Sequence, residues 1–438
     1  MGFSLSPSVT VKEVDLTTSI PGVATSIGAA AGTFKWGPVE EVTLVDTEAN
    51  LVSKFGLPDA TNYKDWFTAA NFLAYGNNLK LVRAVGTGAF NSDDLGSGAV
   101  LVKNIADFEA NSATYTPSFI AKYPGVEGDS ISVETSSATA YGTERIVVSA
   151  VAGTFALGET ITGGTSAATG VVDKVANTEL WITVSTGTFV SAETITGGTS
   201  AAIATTGIIE WAYAADFDFD VSGTELFIVV LKSGVVVEKF IADTSAVAKD
   251  FQGDSTFVEN ILARKSAYVW AANGASILGA KFVLSAGANG ATLTDANYMT
   301  AFDLFSNADT LDINLLMQGG ASTLVGKYII QNIAEVRKDC VAFVSPDETD
   351  VVVPTGQETL LKTLRKTGNY NVSSSYGVLD GNYKQQYDRY NDEYRWVPLN
   401  GDIAGLCART DDVTDPWYSP GGFNRGQIKN VVKLAFNP

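Results

Sequence analysis

Asp312-Ile-Asn-Leu-Leu-Met317, then Leu324-Val-Gly-Lys-Tyr-Ile-Ile-Gln-Asn-Ile-Ala-Glu-Val-Arg-Lys338, then Cys340-Val-Ala-Phe-Val-Ser345: three consecutive runs set the fold class. The first and third are short and apolar, as strands buried on both faces are. The middle run places apolar residues at helical spacing, and Ile329, Ile330, Ile333 and Val336 are expected to form its buried face. Strand, helix and strand in that order predict a βαβ unit and a parallel strand pair.

Outward from this unit the α/β character continues. Upstream, Tyr63 to Tyr75 reads as a helix with Trp66, Phe67, Ala70, Phe72 and Leu73 on its apolar face. Gly76-Asn77-Asn78 stops it, and Leu79 to Val85 alternates as a strand. Ser255 to Lys265 and Asp295 to Asn307 are expected as helices. Downstream come a helix at Gln357 to Lys366, a strand at Tyr394 to Leu399, a helix at Asp402 to Arg409 and a last helix at Gln427 to Phe436.

Between these regions, Ile131 to Val237 is rich in Gly, Ser, Thr and β-branched residues. Gly153 to Ala168 recurs 34 residues later as Gly187 to Ala202, with thirteen of sixteen positions identical. Glu-Thr-Ile-Thr-Gly-Gly-Thr-Ser reads as a strand running into a tight turn, so the repeat predicts duplicated β-hairpins. An inert surface insertion is favoured over a host-surface module. Phe227 to Val237, broken by Lys232, Ser233 and Gly234, reads as a hairpin and not a membrane span. At the other end, Val9, Val11 and Val14 nearly alternate with polar residues and have no local hairpin partner, so residues 1–22 read as an assembly arm whose pairing edge lies elsewhere.

The expected architecture is a multi-domain α/β protein. An α/β core with a βαβ unit is interrupted by an inserted β-rich domain carrying a tandem hairpin repeat. The arm occupies 1–22, the first part of the core 23–110, the insertion 111–237 with repeats at 153–168 and 187–202, and the second part of the core 238–438. The length of 438 residues is in keeping with about three domains.

Composition narrows the function. Acidic residues outnumber basic ones 48 to 29, a net charge of −19, which argues against nucleic acid as the main partner. No histidine is present, which removes histidine-based triads, zinc sites and proton shuttles. Cys340 and Cys407 lack CxxC spacing and are expected as two buried thiols. Gly326-Lys327 lacks both the earlier glycine (Ala321 stands there) and the following hydroxyl (Tyr328) of a phosphate loop. Ser285 to Gly290 reads as a loop. Asp347, Glu348 and Asp350, and Asp411, Asp412 and Asp415, favour solvated turns and helix caps over a metal or acid pair. The cluster Tyr383, Tyr387, Tyr390, Tyr394 and Trp396, interleaved with charges, could be a sugar or base platform or a packed interface. No catalytic, cofactor or metal residues are assigned.

Several segments together resemble the contractile tail sheath proteins of myovirus-type bacteriophages. They are Val9 to Asp15 with Ile20 to Ser26; Gly37-Pro38, Phe55-Gly56 and Trp66 to Tyr75 followed by Leu81-Val-Arg83; Ala121 to Gly125 with Gly128-Asp129; Leu284 to Gly290; Val344-Ser-Pro346; and Trp417 to Asn424 leading to Val431-Val432. Their order and spacing carry the resemblance, and it covers most of the chain except the repeat. It implies a structural, non-enzymatic subunit without cofactors, located in the virion tail and in the host cytoplasm during assembly. It would associate with itself in stacked rings, with the tail tube protein, and with baseplate and tail terminator proteins, with neither nucleic acid nor membrane insertion. Contraction would drive the tube through the host envelope, and inter-subunit strand pairing would fall to the arm at Val9, Val11 and Val14. Such proteins usually continue past the equivalent of Pro438, so no tube-contact residues are assigned. The alternative is a carbohydrate-binding or adhesin-like surface module built from the repeat and the tyrosines.

Overall fold

A strand almost without side chains opens the core. In a computed structural model, residues 26–436 are described apart from 138–139, 177, 215–224, 273–276, 278, 354, 416 and 424; the expected arm, with Val9, Val11 and Val14, lies outside them. Strand β1 (Gly28–Gly32) reads Gly-Ala-Ala-Ala-Gly and is buried throughout. A Cβ on Gly28 would stand 2.5 Å from the Phe72 ring, so only glycine lets the covering helix approach this closely. Strand β2 (Val42–Val45), helix α1 (Glu48–Phe55), helix α2 (Tyr63–Leu73) and strand β3 (Leu79–Arg83) follow. Arg83 is buried at the end of β3 and donates to the carbonyls of Phe34, Lys35, Gly37 and Pro124. It thereby ties the loop after β1 to the next unit.

The chain then leaves the core for about two hundred residues. Strand β4 (Ile131–Ser137) begins a second sheet. Six strands follow: β5 (Thr143–Ala152), β6 (Thr160–Gly163), β7 (Thr169–Ala176), β8 (Glu179–Thr186), β9 (Thr194–Gly197) and β10 (Ile203–Trp211). They close into a barrel in the order β7-β8-β5-β10-β9-β6. Exchanging β5 with β8, β6 with β9 and β7 with β10 reproduces this order, so the 34-residue repeat is a pseudo-two-fold half-barrel. Its core stacks Phe155 on one half and Phe189 on the other, with Ile161 and Ile195 likewise equivalent. The simple pair of hairpins expected from sequence is therefore too small a unit. β5 lies wholly before the first repeat at 153 and β10 runs past the second at 202, yet both are barrel staves that share Ile146, Val148 and Ala204 with the interior.

Strands β11 (Glu225–Lys232) and β12 (Val235–Asp243) form a hairpin about Ser233 and Gly234, both with positive φ, at 51° and 78°. With β4 and strand β13 (Lys281–Val283) they make a sheet ordered β12-β11-β4-β13, and helix α3 (Val258–Lys265) packs Val258 and Leu262 on it. The boundary expected at 237 falls inside β12, because residues 225–243 are one hairpin. Among the described residues no helix is long and apolar enough to cross a membrane.

Helix α4 (Asp295–Asp303) leads back to the core. Strand β14 (Leu315–Met317) and strand β15 (Val341–Val344) are parallel neighbours joined by a helical run, α5 (Thr323–Tyr328), a π-turn (Ile329–Ala334) and α6 (Glu335–Arg337). Ile329, Ile330 and Ile333 are buried as expected, but Val336 is 67% exposed. The wider π-turn slips the helical phase, so the residue after it rotates off the face. Strand β16 (Gly377–Leu379) completes a sheet ordered β2-β3-β1-β14-β15-β16, parallel except for β2. Residues near 30 and near 316 thus pair in one sheet. Phe302, Val325 and Ile333 cover one face, and Leu51, Trp66 and Phe72 the other.

Beyond the sheet, strands β17 (Tyr383–Asp388) and β18 (Glu393–Pro398) form a hairpin, and helix α7 (Asn400–Val413) packs against α2. Gly401 permits that contact, since a Cβ there would lie 2.4 Å from the Thr68 carbonyl. The last helix expected, Gln427 to Phe436, is absent. Asn430 takes φ 58°, and β17 claims the backbone instead: Val432 N donates to Gln385 O, Ala435 N donates to Tyr383 O, and strand β19 (Lys433–Leu434) pairs with β17.

Candidate assembly surface

The β17–β18 hairpin inverts the usual strand alternation. Lys384, Gln386 and Asp388 point inward and are buried, while Tyr387 points out. Lys384 Nζ donates to Asp402 Oδ1 at 2.8 Å and to the Lys429 carbonyl at 3.0 Å, with both side chains of the ion pair fully buried. Burial lowers the Lys384 pKa against the pull of Asp402, and burial raises the Asp402 pKa against the pull of Lys384. Desolvation outweighs attraction at both ends, as expected of a dry ion pair. Asp388 is held by Arg395 Nε at 2.9 Å and by Asn391 Nδ2 at 2.8 Å. Lys384 thus fixes the hairpin to α7 and to the segment 427–434, and Asp388 ties β17 to β18 and to the turn between them.

The tyrosines singled out in the sequence do not share one platform. Tyr383 is buried. Tyr390 sets its ring edge-on to Trp66, 5.4 Å between centroids, and donates from its hydroxyl to Glu48. Trp396 lies under Lys433. Only Tyr387 and Tyr394 face solvent together, paired across the hairpin with rings 5.4 Å apart and 48% and 59% exposed. The segment after α7 also exposes Trp417, at 79%, and Phe423, at 98%. Large apolar side chains standing out singly are ordinary on a surface; several on one stretch of chain, enriched in Tyr and Trp, are the composition of a protein contact.

The acidic clusters serve local structure. Asp347 accepts from the Thr323 N–H and hydroxyl, and Glu348 pairs with Lys64 at 2.7 Å. Asp411 accepts from the Ser26 hydroxyl. Among the described residues no group of three or more Cys, Asp or Glu is placed to hold a metal ion. Cys340 and Cys407 are free thiols, buried and half-buried, and burial pushes both up to about 11. At the carboxyl end of the parallel strands, where α/β proteins bind nucleotides, side chains of this chain take up several backbone groups beside an open cleft of about 300 Å³ lined by Lys64, Gly320, Asp347 and Glu348. Asp65 accepts there from the Thr33 and Gly320 N–H groups and the Tyr298 hydroxyl, and Asn400 bridges Gly319 and Ser345.

Sequence reasoning missed the barrel's two closing residues. Glu159 accepts from Thr199 N, Ser200 N and Ser200 Oγ of the second repeat, and from Ala156 N of its own. Glu193 accepts from Thr165 N, Ser166 N and Ser166 Oγ of the first, and from Val190 N. Burial opposes ionisation at both, but these donors outweigh it and hold each carboxyl below the usual range. The signal was present: a glutamate repeated in register beside each Gly-Gly turn.

Residues 25–84 match the tail sheath protein Gp18 domain III N-terminal region, and residues 291–437 match the phage tail sheath protein central domain. Those two segments supply β1–β3 and β14–β19. The tail sheath protein of Vibrio phage KVP40 is 32% identical over 98% of this chain and 77% of its own length. The chain belongs to the phage tail sheath family. The tail sheath proteins of Enterobacteria phage T4 and Salmonella phage ViI are 29% and 26% identical, over 98% and 99% of this chain and 76% and 74% of theirs. Solved sheath tail proteins from Listeria innocua and Desulfitobacterium hafniense align with TM-scores of 0.44 and 0.40 at 11% identity, over 88% and 92% of this chain and 56% and 62% of those. The sheath protein therefore has a structural role in the virion tail, and the surface-module reading is not favoured.

Proposed function

We propose that this sheath protein polymerises as stacked rings around a tail tube and shortens to drive the tube through the host cell envelope. The near full-length match to three tail sheath proteins carries the reading. Its partners are further copies of itself, the tail tube protein, and baseplate and terminator proteins at the two ends, met in the host cytoplasm during assembly. Energy for the movement is stored in contacts between copies and not in a catalytic site; packed interfaces switch between discrete arrangements. The exposed aromatics at Tyr387, Tyr394, Trp417 and Phe423 supply one such contact. The insertion, with its barrel, lies on the outside of the tube. The arm, through Val9, Val11 and Val14, adds a strand to a neighbour, since an unpaired strand seeks another chain's edge. Deleting residues 1–18 should abolish tubes seen by negative-stain microscopy and shift the melting temperature of the isolated subunit little. Normal tubes from the deleted protein would overturn the arm's role.

A further inference from the structure

The chain enters the barrel from β4 and leaves it towards β11, so the barrel is joined to the second sheet at one end. One half of this joint is apolar. Trp211, at the end of β10, is buried against Phe227, Val229 and Leu231 of β11. The other half is polar, and its composition is unusual. Glu134 on β4 and Glu144 on β5 are 1% and 5% exposed, and the Oε2 of each is shut off from water with no hydrogen-bond partner among the described residues. An ionised carboxylate with a dry, unmet oxygen is costly.

Strand register places both groups in the joint. Glu134 stands opposite Val229 on β11 and Lys281 on β13, on the sheet face that packs against Trp211. It accepts from the Thr143 hydroxyl of β5 at 2.8 Å, and Lys281 Nζ lies 3.8 Å away. The same ammonium is closer to Asp173 of β7, at 3.0 Å, so one cation is shared by two acids and its better contact is not with Glu134. Glu144 stands opposite Ile182 on β8 and Trp211 on β10, which turns it towards the apolar interior at this end of the barrel. Arg145, next in the chain, points to the other face and pairs with Glu179 and Glu210. Burial raises Glu134 to about 7 against Thr143 and Lys281, with Asp173 adding to the rise, and burial alone raises Glu144 to about 7.

We propose that this joint is a proton-operated hinge: Glu134 and Glu144 keep the barrel docked on the sheet while they are neutral and release it when they ionise. Undocking wets both carboxyls and returns them to their ordinary value of about 4.3. Docking is therefore strongest below that value, weakens as pH rises to about 7, and is level beyond. Barrel and sheet keep their own folds throughout, because each has a core of its own, Ile161 and Ile195 in the barrel, Val133 and Ile228 under α3. The hinge belongs to the single subunit, so it stands or falls apart from sheath assembly.

The test places dyes on keto-bearing residues at two exposed positions, Leu157 on the barrel and Phe251 beyond β12, which leaves both native thiols untouched. Energy transfer is recorded on single molecules of the full chain from about pH 5.5 to about 8.5. A second, undocked population should grow up to about pH 7 and no further, by as much as about tenfold per pH unit for each carboxyl. Transfer that ignores pH overturns the hinge, and this measurement needs no substitution at either glutamate. Glu134→Gln combined with Glu144→Gln copies the neutral pair. It should stay docked across the whole range and melt at or above the wild-type temperature at about pH 8, where it spares the joint two dry charges. An unaltered pH response in this variant overturns the proposal. So does a melting temperature several degrees lower at that pH, which would mean that the joint needs its carboxylates charged.

Discussion

Glu193→Ala should unfasten the wrong repeat. The carboxylate lies in the second half-barrel, yet three of its four hydrogen bonds close the turn of the first, at Thr165 and Ser166. Removing a hydrogen bond to a charged group costs roughly 1.5–3 kcal/mol when the partner stays dry. The turn is partly open to water, which rehydrates some donors, so the loss for barrel opening is about 2–4 kcal/mol. Glu159→Ala should cost the same through Thr199 and Ser200, and the two losses should add, since the turns share no donor. Native-state hydrogen exchange with mass-spectrometric readout locates the effect. Glu193→Ala should deprotect residues 163–168 and leave 197–202 near wild type, and Glu159→Ala should do the reverse. Acid mimics both: each carboxyl titrates below its ordinary range of about 4.3, so its stabilisation is complete above that value and lost as pH falls through the lowered one. Deprotection confined to the mutated repeat, or costs differing by more than about 1 kcal/mol, would refute the reciprocal closure; additivity is otherwise good to roughly 0.5 kcal/mol.

Lys384→Met should destabilise the core by about 3–5 kcal/mol in urea unfolding, because Asp402 is left charged and dry, and Lys384→Met with Asp402→Leu should recover most of it. Burial raises the Asp380 carboxyl to about 7 against hydrogen bonds from Ser345 and Asn382. Its folded pKa exceeds the unfolded value of about 3.9, so its stabilisation is full below that and fades as pH rises through about 7; Asp380→Asn should flatten the stability profile over that window. Replacing residues 146–209 by a two-residue turn between Arg145 and Glu210, which already pair, should leave the main melting transition in place. Cutting at 153 and 207 instead exposes Ile146 and Val148, and aggregation on size-exclusion chromatography is expected.

Local periodicity carried the legible part of the fold. The run 312–345 announced its strands and helix, and α2 announced its apolar face, because both signals are contained within one element. The error at Val336 came from a π-turn, which periodicity at 3.6 cannot register. Gln427 to Phe436 had helical composition, but β17 offered its backbone a sheet partner from some fifty residues earlier, as Lys384 opposite Leu434 shows, a competition invisible in the segment itself. The repeat was visible as identity; its closure into a barrel was not, since β5 pairs with β8 and β10 across the pseudo-two-fold axis. The surface was the least legible. A strand that buries Lys384 and Asp388 and exposes Tyr387 inverts the pattern from which burial is ordinarily inferred.

The most direct measurement is electron cryo-microscopy of the purified protein under assembly conditions, with helical reconstruction. The expected result is a hollow tube of stacked rings in which Tyr387, Tyr394, Trp417 and Phe423 are buried between copies and the six-stranded barrel stands on the outer surface. A protein that remains monomeric, or a polymer in which those side chains face solvent and the barrel lines the lumen, would contradict it.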